Sequence, residues 1–232
     1  MRMDGKVISA LLKVFPKTYS EELGINLELR TSNEIFKWFL AALLFGKPIR
    51  ESSAIKTYKC FINHGLTNPE KILAAGWGKL VEILDEGGYT RYDFSTADKL
   101  LKVMRTLVEK YHGDLNLLHR SSKDLGELKS KLKDLGKGIG DVTIQIFLRE
   151  LRETWNVEVE LSKFTILAAE KLKLIESTGP SQALKELKEI WDKYKVEGKS
   201  FANLETALLR LGKNYCRKNK CSSCPVKDLC VR

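Results

Sequence analysis

Residues 128–151 read LKSKLKDLGKGIGDVTIQIFLREL, and this stretch decides the fold that we expect. A lysine-rich amphipathic segment precedes three glycines at alternate positions, and an apolar segment, residues 142–151, follows them. Glycines spaced in this way let a chain reverse tightly between two helices. The sequence therefore predicts a helix-hairpin-helix unit whose turn is Gly136–Gly140.

This glycine turn has the composition of a phosphate-binding site. We expect Ile139 to point inward, which leaves the amides of Gly138 and Gly140 facing outward at the start of a helix. Unpaired amides at the positive end of a helix dipole bind phosphate oxygens well. Two alternatives stay open: the glycines form a plain interhelical turn, or Asp141 caps the second helix itself.

Helical spacing dominates the rest of the chain. Residues 32–34 precede an apolar run that ends at Gly46, and this pattern predicts a fully buried helix. Ser95, Ser162 and Ser181 are predicted to cap later helices. Further helices are predicted over residues 51–63, 69–75, 78–85, 95–111, 123–133, 141–153, 162–173, 181–193 and 200–213. The predicted fold class is all-α, with about ten short helices.

Four of the five cysteines lie near the end of the sequence in the pattern C-x4-C-x2-C-x5-C: Cys216, Cys221, Cys224 and Cys230. Thiolate-only ligation suits an iron–sulfur cluster or a structural zinc ion. Zinc sites usually pair two C-x2-C knuckles, whereas this segment has one, which favours a [4Fe–4S] cluster. The alternative is four unligated surface thiols, a chemical liability in so small a loop. Cys60 is predicted to be a core residue.

The chain of 232 residues carries 40 Lys and Arg against 30 Asp and Glu, a net charge of +10. This surplus indicates a polyanionic partner, either nucleic acid or an anionic membrane, unless it is the surface of a heat-adapted protein. No apolar stretch reaches the ~18 residues of a membrane span, and the first twenty residues lack a signal-peptide layout. We therefore expect a cytoplasmic, nucleoid-associated protein (nuclear in a cell with a nucleus) that is a monomer, binds no membrane and keeps its thiols reduced.

The cysteine segment is itself basic, and its cations either lie against a phosphate backbone or only keep the segment soluble. They are Lys213, Arg217, Lys218, Lys220, Lys227 and Arg232.

The glycine turn between two helices, followed by a cysteine loop ending CPVKDLC at residues 224–230, resembles the endonuclease III branch of the helix-hairpin-helix DNA glycosylases. The resemblance runs from about residue 31 to 230. It implies two lobes, a helical bundle with the hairpin at 31–155 and an iron–sulfur cluster domain of 1–30 plus 156–232. It also implies that double-stranded DNA binds in the groove between them, with the target base flipped out.

The resemblance assigns DNA contacts to two loops and to the hairpin. Lys47 stands where the family has a residue that fills the gap left by the flipped base. The loop at 87–94 offers Tyr89, Arg91 and Tyr92 for contacts with a base, with Tyr89 and Tyr92 left open between core and surface, and Phe94 expected in the core. The hairpin contacts are assigned to Lys137, Gly138, Ile139, Gly140 and Val142.

Two departures from the family pattern stand out, in the spacing of the cysteines and at the position of the lysine nucleophile. The first two cysteine ligands are separated by four residues, where the family usually has six. Val142 occupies the position of the Schiff-base lysine of bifunctional members, so we predict no strand cleavage through an imine. Lys137 and Lys163 are near in sequence, but neither is at the matched position.

Glu160 occupies the position of the family's essential aspartate. A carboxylate there would stabilise the oxocarbenium-like charge on the sugar, or activate a water. Glutamate is one methylene longer than aspartate. The alternative is that Glu158 and Glu160 are solvated side chains on a charged turn.

The resemblance therefore implies a base-excision repair DNA glycosylase that hydrolyses the N-glycosidic bond of a damaged or mispaired base and is monofunctional. A second reading is a non-catalytic iron–sulfur protein that recognises lesions or DNA shape. A third is a zinc-stapled helical interaction module with no role on DNA.

Overall fold

The computed structural model describes residues 3–230, and the regular structure within them is helical throughout, which confirms the all-α prediction. Short 3-10 turns lie at Leu27–Leu29, Cys216–Lys218 and Lys227–Leu229. No helix in this range is long and apolar enough to span a bilayer. The α-helices of the described residues are α1 (Met3–Val14), α2 (Tyr19–Glu22), α3 (Ser32–Phe45), α4 (Glu51–Asn63), α5 (Pro69–Glu86), α6 (Asp93–Tyr111), α7 (Leu115–Arg120), α8 (Leu125–Asp134), α9 (Asp141–Arg149), α10 (Arg152–Trp155), α11 (Lys163–Lys171), α12 (Pro180–Lys193) and α13 (Phe201–Asn214).

The chain forms two compact units, which we call the hairpin unit and the cysteine unit. The hairpin unit runs from Leu23 to Glu158 and contains α3 to α10. The cysteine unit combines the residues up to Glu22 with those from Val159 onward, and it contains α1, α2 and α11 to α13. The sequence-based limits of the helical bundle are 31 and 155, whereas this unit begins at Leu23 and ends at Glu158.

Helix α3 is the centre of the hairpin unit, and most of its side chains are buried, as predicted. The indole N–H of Trp38 donates to the carbonyl oxygen of Phe147 at 2.9 Å. The rings of Phe39 and Phe147 meet edge to face, with centroids 5.1 Å apart. Aromatic pairs in this geometry stabilise a core beyond their buried area. These contacts fix α9, the helix that follows the glycine turn, to the most buried helix of the unit.

The predicted helix boundaries hold well where apolar periodicity is long. Helix α4 covers the predicted 51–63. The two predicted helices at 69–75 and 78–85 are joined as α5, but Gly76 between them has φ 72° and ψ 171°, which breaks the helix there. Helix α7 has no counterpart in the sequence-based set, because its six residues supply only two buried side chains, Leu115 and Leu118.

Of the three serines predicted to cap helices, one does so in the structure. Ser162 caps α11, since its hydroxyl accepts the amide of Thr165. The predictions for Ser95 and Ser181 are wrong, because α6 already begins at Asp93 and α12 at Pro180, a residue favoured at the first helical position.

In the cysteine unit, α11 and α13 cross at very short range. A Cβ added at Gly212 of α13 would overlap the carbonyl oxygen of Phe164 and lie 3.2 Å from its Cα, so the crossing requires glycine. Helix α13 is buried along most of its length and shares an apolar core with α1 through residues such as Leu11 and Leu208. Because Cys216 follows α13 by two residues, this crossing sets where the cysteine segment begins.

Candidate nucleic-acid interface and cysteine cavity

The glycine turn has the conformation that the sequence predicts. Gly138 has φ +90°, which favours glycine. Ile139 is buried, as expected, and its amide donates to the carbonyl oxygen of Gly136 at 3.3 Å. Among residues 3–230, no acceptor pairs with the amides of Gly138, Gly140 or Val142, and all three residues are exposed. The turn therefore presents free donors at the N-terminus of α9, the geometry that binds a phosphate oxygen.

Asp141, the first residue of α9, does not cap it. The helix begins after Gly140 with no side-chain cap, and the Asp141 carboxylate lies 2.7 Å from the Lys133 Nζ of α8. The hydrogen bond and charge of Lys133 lower the pKa of Asp141. The alternative in which Asp141 occupies the amides of the turn is thus wrong, and those amides stay available.

Val142 is the most exposed large apolar side chain among the described residues, at 62% of its surface. In bifunctional members of the family that the sequence resembles, the lysine nucleophile occupies this position, on the first turn of the helix after the hairpin. An isopropyl group at this place offers no amine and no proton donor. The position is thus open to a ligand but carries no nucleophile.

The loop that carries Lys47 packs against the hairpin helix. A Cβ added at Gly46 would overlap the hydroxyl of Thr143 in the first turn of α9, so this glycine allows a close approach. Lys47 itself is half-buried, and its Nζ lies 5.6 Å from the centroid of the Tyr92 ring. The guanidinium of Arg91 lies at the same distance from that ring. Two segments that are distant in sequence therefore bring their cations, Lys47 and Arg91, to the same tyrosine ring.

Lys99 is a functional candidate that the sequence does not reveal. It lies on α6, its side chain is 8% exposed, and its Nζ donates to the carbonyl oxygen of Gly138 at 2.8 Å. Burial, and to a lesser degree the charge of Lys47, lowers the pKa of Lys99 to about 8. A lysine on an amphipathic helix reads as a solvent-facing residue, so no sequence signal marks it.

Two aromatic assignments need correction. Tyr89 is buried, and its hydroxyl donates to the carbonyl oxygen of Leu44 at 2.5 Å, so it is a core residue that cannot stack on a base. Phe94, which we expected in the core, is 58% exposed and packs against the ring of Trp77 at 5.3 Å. Trp77 directly follows Gly76, the glycine that breaks α5, and its side chain is exposed.

Glu160 belongs to the cysteine unit, in the segment that leads to α11. Its side chain is exposed, whereas Val159 and Leu161 on either side are buried and hold the backbone. The hydroxyl of Ser181 donates to Glu160 Oε1 at 3.4 Å. Ser181 lies on the first turn of α12, so the carboxylate stands beside the positive end of that helix. The hydrogen bond from Ser181 thus gives the exposed carboxylate one defined partner.

The four clustered cysteines line one cavity of about 270 Å³, together with Lys171, Tyr215, Asn219 and Lys227. The thiol of Cys230 contacts the carbonyl oxygen of Lys171 at 3.5 Å. Burial, and then the proximity of the other three thiols, raises the pKa of Cys216 to about 11. Cys60 is buried in the hairpin unit, as predicted.

In the described residues, the thiols that line this cavity do not converge on one metal-ion position. Within residues 3–230, no group of three or more His, Cys, Asp or Glu side chains is close enough to hold one metal ion. A cubane cluster takes one thiolate at each of its four iron corners, whereas a zinc ion needs all four sulfurs at ≈ 2.3 Å.

The basic residues of the cysteine segment lie beside this cavity. The guanidinium of Arg217 lies 5.1 Å from the ring centroid of Phe164, and the Nζ of Lys163 lies 5.3 Å from the same ring. Arg217, Lys218, Lys220 and Lys227 are exposed, so they add positive charge to the surface next to the cysteines. Arg232 lies outside the described residues.

The chain shares its fold with solved structures of two DNA glycosylases. It aligns with a 3-methyladenine DNA glycosylase of H. pylori, bound to 1,N6-ethenoadenine, with a TM-score of 0.58 and 16% identity over 93% of this chain and 98% of that one. It aligns with a thermostable thymine-DNA glycosylase with a TM-score of 0.55 and 16% identity over 98% of this chain and 95% of that one. No family model matches the sequence, and no curated protein matches it either.

Proposed function

We propose that this protein is a DNA glycosylase of base-excision repair, which removes a damaged or mispaired base from double-stranded DNA. The observation that carries the proposal is the exposed glycine turn with its unpaired amides and the cations around it. The shared fold supports it, because two DNA glycosylases align with almost the whole chain. The net charge of +10 favours a nucleic-acid partner over a neutral one.

In the proposed mechanism, the hairpin amides bind a backbone phosphate and fix the register of the DNA on the hairpin unit. Glu160 supplies the negative charge that stabilises the developing oxocarbenium ion as the N-glycosidic bond breaks. The Ser181 hydroxyl orients that carboxylate through the hydrogen bond to Oε1. Water then completes the hydrolysis at the sugar C1′ and leaves an abasic site.

We further propose that the enzyme is monofunctional. The exposed Val142 cannot form an imine with the abasic aldehyde, so the strand stays intact after base release. Lys99, a lysine near the hairpin with a lowered pKa, is mostly buried, and its Nζ donates to a backbone carbonyl oxygen. It therefore does not replace the missing nucleophile.

The cysteine cavity is proposed to hold one [4Fe–4S] cluster on Cys216, Cys221, Cys224 and Cys230. When bound, the cluster would join four points of the segment into one rigid body and provide no group for bond cleavage. Its place beside exposed cations suits a role in presenting them to a phosphate backbone.

A panel of duplexes, each with one modified or mispaired base, tests the function. The panel includes 1,N6-ethenoadenine, 3-methyladenine and a mispaired thymine, because the two structural neighbours are named for or bound to ethenoadenine, 3-methyladenine and thymine. Alkali converts each abasic site into a strand break, which a denaturing gel resolves. The proposal expects alkali-dependent breaks at one or more modified positions and none in the undamaged duplex. Tight binding to every duplex without any break would instead support a non-catalytic lesion-binding protein.

A further inference from the structure

Lys99 lies directly beneath the glycine turn. Its Nζ donates to the carbonyl oxygen of Gly138, and its Cδ lies 3.7 Å from where a Cβ of Gly138 would be. One turn further along α6, the side chain of Val103 packs against Gly136 in the same way. Helix α6 therefore supports both ends of the turn, with an apolar contact at one and an ammonium group at the other.

The charged ammonium group of Lys99 is energetically unfavourable in this buried position. Among the described residues, no carboxylate pairs with Lys99, although its side chain is 92% buried. Asp98, its neighbour on α6, instead accepts the indole N–H of Trp77 from α5. A buried ammonium without a counter-ion costs free energy that an apolar side chain of the same length would not.

The surroundings add to this cost. The Lys47 charge, from the loop after α3, acts on Lys99 and lowers its pKa. On the hairpin side, Lys137 is exposed and Asp141 is paired with Lys133. Several positive charges lie close to the free amides of this turn. A bound anion would offset the repulsion between these charges.

We propose that Lys99 is a positioning residue for DNA: it fixes the Gly138 carbonyl inward, so that the turn keeps its amides outward, and it adds positive charge behind the phosphate that they bind. The inference rests on the proposed function, because it requires the turn to bind DNA. Lys99 does not touch the DNA itself. It acts through the backbone of Gly138 and through its electrostatic field.

Two substitutions on one helix test the inference. Lys99→Met removes the buried charge at nearly constant length, and Lys102→Met removes the same formal charge from the exposed face of α6. We expect Lys99→Met to weaken binding to an undamaged duplex by about tenfold at low salt, and Lys102→Met by less than about twofold. The thermal midpoint of Lys99→Met at neutral pH should not fall, because an uncompensated buried charge is lost. If Lys99 had only a structural role, Lys99→Met would have a lower thermal midpoint and an unchanged affinity for the duplex.

The pH dependence of duplex binding, followed by fluorescence anisotropy between about pH 6.5 and 9.5, is the second readout. Below the Lys99 pKa of about 8 the ammonium is charged, so wild-type affinity should decline as pH rises through that value. The decline should be absent in Lys99→Met. It should also be absent in Lys99→Arg, which stays charged throughout. Lys47→Met removes the like charge nearby and should move the decline to higher pH.

The outcomes separate the inference from the proposed function. If the wild-type protein binds no duplex at low salt, the proposed function fails. If the wild type binds and Lys99→Met binds equally well with the same pH profile, the inference is overturned and the function stands. If the Lys99 variants do not fold, the profiles of the wild type and of Lys47→Met decide, and a flat profile in both overturns the inference.

Discussion

Replacing Gly46 with alanine should displace the Lys47 loop from the hairpin helix. The new Cβ would lie well under 3.0 Å from the Thr143 hydroxyl oxygen and 3.2 Å from its Cβ, where carbon contacts prefer roughly 3.5–4.0 Å. Thr143 has little room to turn aside, because it is buried and a threonine on a helix has only two preferred χ1 rotamers. The backbone must therefore move by about 1 Å, at a cost of about 1–3 kcal/mol in the free energy of unfolding.

A double-mutant cycle isolates this contact. Thr143→Ala removes the hydroxyl that the new Cβ would overlap, so the double variant should recover most of the stability that Gly46→Ala loses. Denaturant unfolding of the four proteins should give a coupling energy of about 1 kcal/mol or more in the rescuing direction. Duplex affinity should follow the same order, since Lys47 returns to its place beside Tyr92. Losses that simply add, or a Gly46→Ala protein as stable as the wild type, would refute the reasoning.

Three further predictions concern the hairpin, the strand and the cysteines. Asp141→Asn removes a carboxylate from the first turn of α9 and should tighten duplex binding about two- to fivefold at low salt, as measured by anisotropy; equal or weaker binding would argue against a phosphate at this turn. Because Val142 carries no amine, borohydride should trap no covalent adduct with abasic DNA, and a trapped adduct would reveal a lysine nucleophile elsewhere. Anaerobically purified protein should contain about four irons per chain and absorb near 400 nm, with both lost when Cys224 is replaced by serine; about one zinc and no iron would contradict the cluster.

The long apolar periods of the sequence predicted the helices well. Helix α3 and the predicted 51–63 helix agree with the structure because each buries a continuous face. Helix α7 could not be found in the same way, since six residues contain too little periodicity to separate them from a loop. The Gly136–Gly140 turn was predictable because glycine spacing is itself a conformational constraint.

The residues around the turn were harder to assign. Phe94, which we expected in the core, is exposed, and Tyr89, which the sequence left open between core and surface, is buried. Burial in this loop depends on contacts with distant elements, Leu44 for the tyrosine and Trp77 for the phenylalanine. Lys99 shows the same limit more sharply. Nothing in the local sequence separates a lysine buried beneath the turn from the many lysines that face solvent.

The single-turnover rate of free-base release by the wild type and by Glu160→Gln is the most direct test of whether this protein is a glycosylase that acts through Glu160. On the best substrate of the panel, the wild type should release free base, detected by mass spectrometry, and leave the strand intact. Glu160→Gln should lower this rate by about 10²–10³-fold with duplex affinity unchanged, because only the charge that stabilises the transition state is lost. Glu158→Gln, two residues earlier in the chain, is the matched control and should keep the wild-type rate. Equal rates for the wild type and Glu160→Gln, or no base released from any duplex, would contradict a glycosylase that acts through Glu160.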